Sequence, residues 1–259
     1  MFRRTVGLVF VFGVLYALLP RSASAQNTTS GGAHSFMVGG AAAEDYFDNT
    51  THTERWYHLT STTGRSYCAE TQGGVMGDDS VDSVIDTALT IYDGNATTVL
   101  ASNDDAIILE PAGFVLSRAC WIAPANGAEY IKVTPHTAGQ SFAFRLKLVE
   151  TTLYSNWFFV GGDYNAYALL RNTTKVTVNY TINWRNAAGT IVAFSTGSLP
   201  SNGSVFKNAR DFPAVLGAVS GTVEIVHDGS AGAIMATSTI LSVSTGLSFD
   251  TIFQARPTW

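Results

Sequence analysis

Oxygen-bearing side chains gather at two places in the first half of the chain. Asp78, Asp79 and Asp82 lead to Asp86, and one hairpin later come Asn103, Asp104 and Asp105. Calcium takes roughly six to eight oxygens from carboxylates, amides and backbone carbonyls, and acidic turns supply these without burying unpaired charge. One calcium ion is therefore expected where the loop 78–86 meets the turn 103–105. The competing account is that these residues are solvated turn formers bonding their own backbone. Cys68 and Cys120 are the two cysteines. An even count in an exported chain favours one disulfide over two free thiols, and no CxxC or nearby histidine completes a metal site.

Catalytic spacing is missing. The sequence has no G-x-S-x-G elbow, H-E-x-x-H, P-loop or dinucleotide fingerprint. His34, His52, His58, His136 and His227 are scattered. A triad assembled across loops stays open, because triads are spatial. Trp56, Tyr57, Trp121, Trp157, Phe158, Phe159 and Trp184 can either stack on sugars or pack a core. Trp184 and Tyr180 lie on the apolar phase of a strand and are expected in the core. Trp157, Phe158 and Phe159 cannot all face one side of a strand. One side meets a domain junction or a ligand, and the junction is favoured. Asn27, Asn49, Asn95, Asn172, Asn179 and Asn202 open N-x-S/T triplets and are read as turn and strand composition.

The elements that must position these groups are strands. The chain has 259 residues, 14% charged and rich in Thr, Val, Gly and Asn, with no long amphipathic helix. Residues 1–25 read as a secretory signal peptide: Arg3 and Arg4, an apolar run too short for a comfortable span, Pro20, then Ala23, Ser24 and Ala25 before a cut at Gln26. Their removal takes away three arginines and leaves a chain more acidic than the net charge of −5 of the whole sequence. Nucleic acid is a poor partner for such a surface. No later stretch is long enough to span a bilayer, so a secreted or periplasmic, envelope-associated location is expected, with no transmembrane segment in the mature chain.

Residues 26–43 read as a flexible leader rich in Ser, Thr, Gly and Ala. Strands are expected over 55–59, 67–71, 114–122, 130–134 and 142–149. Between them, the stretch 86–105 forms a hairpin, with Leu89 and Ile91 on one face, Thr90 and Tyr92 on the other, and a turn at Asp93, Gly94 and Asn95. About eight strands over 44–150 suggest a sandwich or jelly roll. A second set spans 151–259. Its clearest member alternates Val176, Val178, Tyr180, Ile182 and Trp184 with Thr177, Asn179, Thr181 and Asn183. About seven strands there read as an immunoglobulin-like sandwich. The expected fold is all-β, two tandem sandwiches.

Residues 44–150 carry a resemblance. Trp56 and Tyr57, the strand around Tyr67, the run from Asp86 through Leu89, Ile91, Tyr92 and Asp93, the turn at Asn103, Asp104 and Asp105, and the strand around Tyr130 and Val133 resemble the bacterial pre-peptidase C-terminal domain family. That resemblance implies a jelly-roll-like sandwich appended to exported enzymes, some members binding calcium, collagen or polysaccharide. It also implies that Cys68 and Cys120 staple two strands. No catalytic domain precedes the module in this sequence. The expected function is a non-catalytic exported or surface-associated module, calcium-stabilised, that binds polysaccharide or a matrix protein. A secreted hydrolase or hydrolase accessory protein is the first alternative. The other is a structural subunit of an envelope or extracellular fibre, with edge strands pairing between chains.

Overall fold

The structure, a computed structural model, describes residues 27–48, 50–73, 85–109 and 114–256. It is all-β. The first sandwich contains β1 (His34–Ser35), β2 (Ala43–Phe47), β3 (Arg55–Ser61), β4 (Ser66–Gly73), β5 (Thr87–Tyr92), β6 (Val99–Asn103), β7 (Ile107–Leu109), β8 (Phe114–Leu116), β9 (Arg118–Ile122), β10 (Gly127–Pro135) and β11 (Phe142–Glu150). One sheet runs β1-β3-β10-β5-β6 and the facing one β2-β11-β4-β9, with β7 and β8 as a separate ribbon. Period-2 patterning builds the core between them. Phe142, Phe144, Leu146 and Leu148 of β11 point inward and meet Leu89, Ile91, Ile131 and Val133 from the other sheet. The hairpin at 86–105 stands as expected, β5 pairing antiparallel with β6. Asp93 shapes its turn by accepting the amides of Asn95, Thr97 and Thr98.

Two expectations change here. The strand expected over 114–122 breaks at Ser117, because β8 pairs with β7 whereas β9 pairs with β4. Buried Ser117 sits at the switch, its amide bonded to Thr71 Oγ1 and its hydroxyl to the carbonyls of Thr87 and Asp104. The flexible leader is also corrected. Asn27 is fully buried, its carbonyl accepts the Trp56 amide at 2.6 Å, and its side chain bonds Asp45 and Arg55. Phe36 and Val38 pack on the core, and β1 adds parallel to β3. A few anchors suffice to hold a segment whose composition shows no apolar period.

The second sandwich contains β12 (Leu153–Phe159), β13 (Tyr164–Asn172), β14 (Val178–Asn186), β15 (Ile191–Leu199), β16 (Ser204–Asn208), a short helix α1 (Pro213–Ala218), β17 (Ser220–His227), β18 (Ile234–Ser242), β19 (Ser248–Ile252) and β20 (Gln254–Ala255). Its sheets run β15-β14-β17-β12-β20 and β16-β13-β18-β19. Val178, Tyr180, Ile182 and Trp184 enter the core as expected, but Val176 precedes the strand and is 67% exposed. The chain changes sheets at buried Phe253: β19 pairs with β18, and β20 crosses to pair with β12.

Only Thr151 and Thr152 separate β11 from β12, and both are buried. The Thr151 amide bonds the Ser66 carbonyl, and Thr152 Oγ1 accepts the Ser66 amide at 2.8 Å. The Glu150 carboxylate accepts the Tyr154 hydroxyl and faces Arg65 at 3.6 Å. Cys68 and Cys120 are directly opposed on β4 and β9 and form the expected disulfide. The Cys68 sulfur lies 3.5 Å from the Gly229 carbonyl of the second sandwich. Among the described residues, no helix is long and apolar enough to cross a membrane.

Candidate functional site

The aromatic run of β12 builds one wall of an exposed apolar cleft. Ser155 pairs with Val223 but Phe158 pairs with Gly221, so β12 gains one residue over β17. Such a bulge shifts the in–out alternation by one step. Leu153 and Ser155 point inward before it, Phe158 and Val160 after it. Trp157, which strict alternation would bury, is turned outward and is 45% exposed. Gly221, paired with Phe158 just after the bulge, is held to glycine from its other side, by β14. A Cβ there would lie 1.8 Å from the Arg185 carbonyl oxygen.

Phe158 packs edge-on against the Trp184 ring, with centroids 5.2 Å apart. Trp157 and Phe159 lie at 27° to each other with centroids 6.1 Å apart, and Phe159 meets Tyr164 edge-on at 5.9 Å. With Ile240 and Phe249 these rings line a cleft of about 290 Å³. Ile240 is its buried floor, while Tyr164 and Phe249 are 36% and 54% exposed. The sheet switch explains the opening. β20 covers β12 only at Leu153 and Tyr154, so the seam between β12 and β19 is left open beyond them. At its closed end, Ser155 Oγ and Thr251 Oγ1 come within 3.3 Å.

All five lining residues belong to the second sandwich. The junction expected for this aromatic run is therefore corrected. The start of β12 meets the first sandwich, and the bulge turns Trp157 toward a different opening. Polar groups stand beside Tyr164. Asp163 accepts the hydroxyl of Ser242 and the amide of Ser244, and these bonds, Ser242 first, hold its carboxyl below the usual aspartate range. Arg210 donates to the carbonyls of Gly162 and Tyr164 at 3.0 and 3.1 Å. Of the other aromatics named from the sequence, Tyr57, Trp121 and Trp184 are buried, and Trp56 stacks on Tyr92 with Lys132 over its ring.

The expected calcium ligands divide. Asp78, Asp79 and Asp82 lie outside the described residues. Burial raises the Asp86 pKa, His136 opposes it, and the nearby charges of Asp105 and Asp104 add to it. Asp86 Oδ1 is buried without a hydrogen-bond partner. Asn103 ends β6 opposite Leu89, and Asp104 faces His136 at 3.4 Å. Among the described residues, no three His, Cys, Asp or Glu side chains are grouped as metal ligands.

The histidines do not assemble a triad at their most suggestive point. His52 meets both Asp48 and Thr51 through the same ring nitrogen, Nδ1, whereas a relay needs one partner on each nitrogen. Asn172, which in the sequence is only the start of an N-x-S/T triplet, is fully buried and holds a turn together.

No family model matches the sequence. No curated protein matches it either. Among solved structures, an uncharacterised protein from Burkholderia cenocepacia aligns over 80% of this chain and 83% of its own, at 9% identity and a TM-score of 0.29. A Bacteroides uniformis β-glucuronidase aligns over 78% of this chain and 26% of its own, at 9% identity and a TM-score of 0.20. The extracellular region of zebrafish Gpr126 aligns over 85% and 30%, at 9% identity and a TM-score of 0.22. Similarity this low carries no argument about ligand or activity.

Proposed function

We propose that the chain is an exported, non-catalytic binding module that holds polysaccharide in the cleft at the seam of its second sandwich. The half-exposed rings of Trp157, Tyr164 and Phe249 over a buried Ile240 floor carry this reading. Sugar rings present apolar C–H faces that lie flat on aromatic surfaces, and hydroxyls that the polar groups near Tyr164 can meet at the rim. The signal-type N-terminus and the disulfide support export. The test is retention on polysaccharide gels and a glycan array, comparing the wild-type chain with Trp157→Ala. Trp157 lies outside the core, so the fold should persist. Loss of one such anchor is expected to weaken binding roughly tenfold. Unchanged retention of the variant, or no glycan bound by the wild type, rejects the proposal.

Calcium belongs to the same reading, with Asp86, Asp104 and Asp105 among its ligands. The unpartnered Oδ1 of Asp86 supports it. A calcium concentration about a hundredfold above Kd would add about 2.7 kcal/mol to stability. Melting in millimolar calcium should thus occur several degrees higher than in excess chelator. Equal melting temperatures would remove calcium from the account.

A further inference from the structure

Sheet edges are sites where chains pair, and most edges here are guarded. Of the described edge strands, β2 carries Glu44 and Asp45, β9 carries Arg118, β16 carries Lys207 and β19 carries Asp250. β1 and β20 are two residues long. Charge and shortness are the usual devices against edge pairing. β6 is uncharged but has five residues and runs into Asp104 and Asp105.

β15 lacks both of these guards, and its one irregularity is a bulge at Val192, before the run 193–199. Its nine residues, Ile-Val-Ala-Phe-Ser-Thr-Gly-Ser-Leu, contain no charge and no proline. Among the described residues its backbone ladder is with β14 alone. α1 packs beside β14 and β15 without a backbone bond to β15, and the Asn172 side chain reaches only the carbonyl of Leu199 at its end. Phe194 is 65% exposed and Ile191 43%.

We propose that β15 pairs antiparallel with β15 of a second copy of this chain, joining two five-stranded sheets across a two-fold axis. The absence of charge selects the occupant. A two-fold pairing sets a strand opposite itself, so any charge near the axis would meet its own sign. A copy of β19 would set Asp250 near its own sign, and the acids of β2 are already taken by Arg55 and Arg145, whereas β15 carries no charge to oppose a copy. An edge shaped for a charged partner strand would carry a complementary charge, and β15 has none. Centred on Ser195, the pairing sets Phe194 opposite Thr196 and Ala193 opposite Gly197. The large exposed ring of each copy then meets a small β-branched residue, and no two phenyl rings compete for one place. A contact of one strand pair is smaller than a standard interface of about 1,600 Å², so the dimer is expected to depend on concentration.

Sedimentation of the full chain, loaded from micromolar to submillimolar, tests this. The wild type should shift from monomer to dimer across that range. Phe194→Glu and Thr196→Lys change exposed positions and should each give a folded monomer with an unchanged circular dichroism spectrum. An equimolar mixture of the two should associate again, because the introduced carboxylate of one chain faces the introduced ammonium of the other. A wild type that stays monomeric overturns the proposal. So does a single variant that dimerises like wild type, or a mixture that stays monomeric.

Discussion

At the scale of single residues, Asn172 shows how one buried amide can hold a turn. Its Nδ2 stands 2.7 Å from the Val176 carbonyl, 3.1 Å from that of Leu199 and 3.0 Å from that of Pro200. Its Oδ1 accepts the amide and hydroxyl of Thr174, both at 2.8 Å. Two amide protons are thus shared among three carbonyls, of which that of Val176 also accepts the Thr174 hydroxyl and that of Pro200 the Gly203 amide. Asn172→Ala removes these bonds; the Val176 and Pro200 carbonyls keep Thr174 Oγ1 and the Gly203 amide, but the Leu199 carbonyl loses its side-chain donor, and a buried polar group left unpaired costs about 1–3 kcal/mol. A loss of roughly 2–4 kcal/mol is expected, read as a lower urea midpoint for the second sandwich with an unchanged slope. A midpoint within error of wild type would show that water replaces the amide without cost. The sequence presents Asn172 only as the start of an N-x-S/T triplet, because a side chain's long-range hydrogen bonds leave no local pattern.

At the scale of elements, what was legible followed periodicity. The hairpin of β5 and β6, the alternation in β11 and most of β14 can be read from the sequence because one face of each is buried and period 2 is then forced. The failures have physical causes too. β16 carries Val205, Phe206 and Lys207 between turns, too short a run to show a period. α1 is six residues long, begins at Pro213, and buries only Val215. The bulge in β12 could not be seen because three consecutive aromatics satisfy either phase. Val223 and Gly221, whose pairing with Ser155 and Phe158 defines the bulge, lie more than sixty positions away in the chain. The seam cleft depends on both the bulge and the sheet switch at Phe253, so its composition was legible but its place was not. The acidic cluster was legible as composition, and the structure adds the approach of His136 from the end of β10.

At the scale of the whole molecule, the two sandwiches meet through buried polar contacts, and a histidine buried beside them titrates. His227 ends β17 and is 1% exposed. Neither ring nitrogen has a partner in hydrogen-bond geometry. Burial holds its pKa below the usual histidine value, against the charge of Asp228 and the nearby backbone of Thr151 and Gly229. Thr151 belongs to the two-residue connection, and Gly229 touches Cys68 of the first sandwich. The folded chain therefore keeps His227 neutral where the unfolded chain takes up a proton at about pH 6.5. The unfolded state binds more protons in that range, so stability is full above pH 6.5 and declines as pH falls toward the lowered folded value. The slope attributable to this group reaches at most about 1.4 kcal/mol per pH unit. Asp48, Asp93 and Asp163 have lowered pKa values, so their contributions are lost only in more acid solution. Asp86 and Glu129, raised by burial, act in the opposite sense, because their protonation favours the folded chain. These carboxylates are common to wild type and His227→Leu, so the difference between the two isolates the histidine. Urea midpoints measured from pH 7.5 down to 5 should fall more steeply for wild type than for the variant. Parallel curves would mean that water or a backbone group already solvates the imidazolium, and that acid does not loosen the molecule at this point.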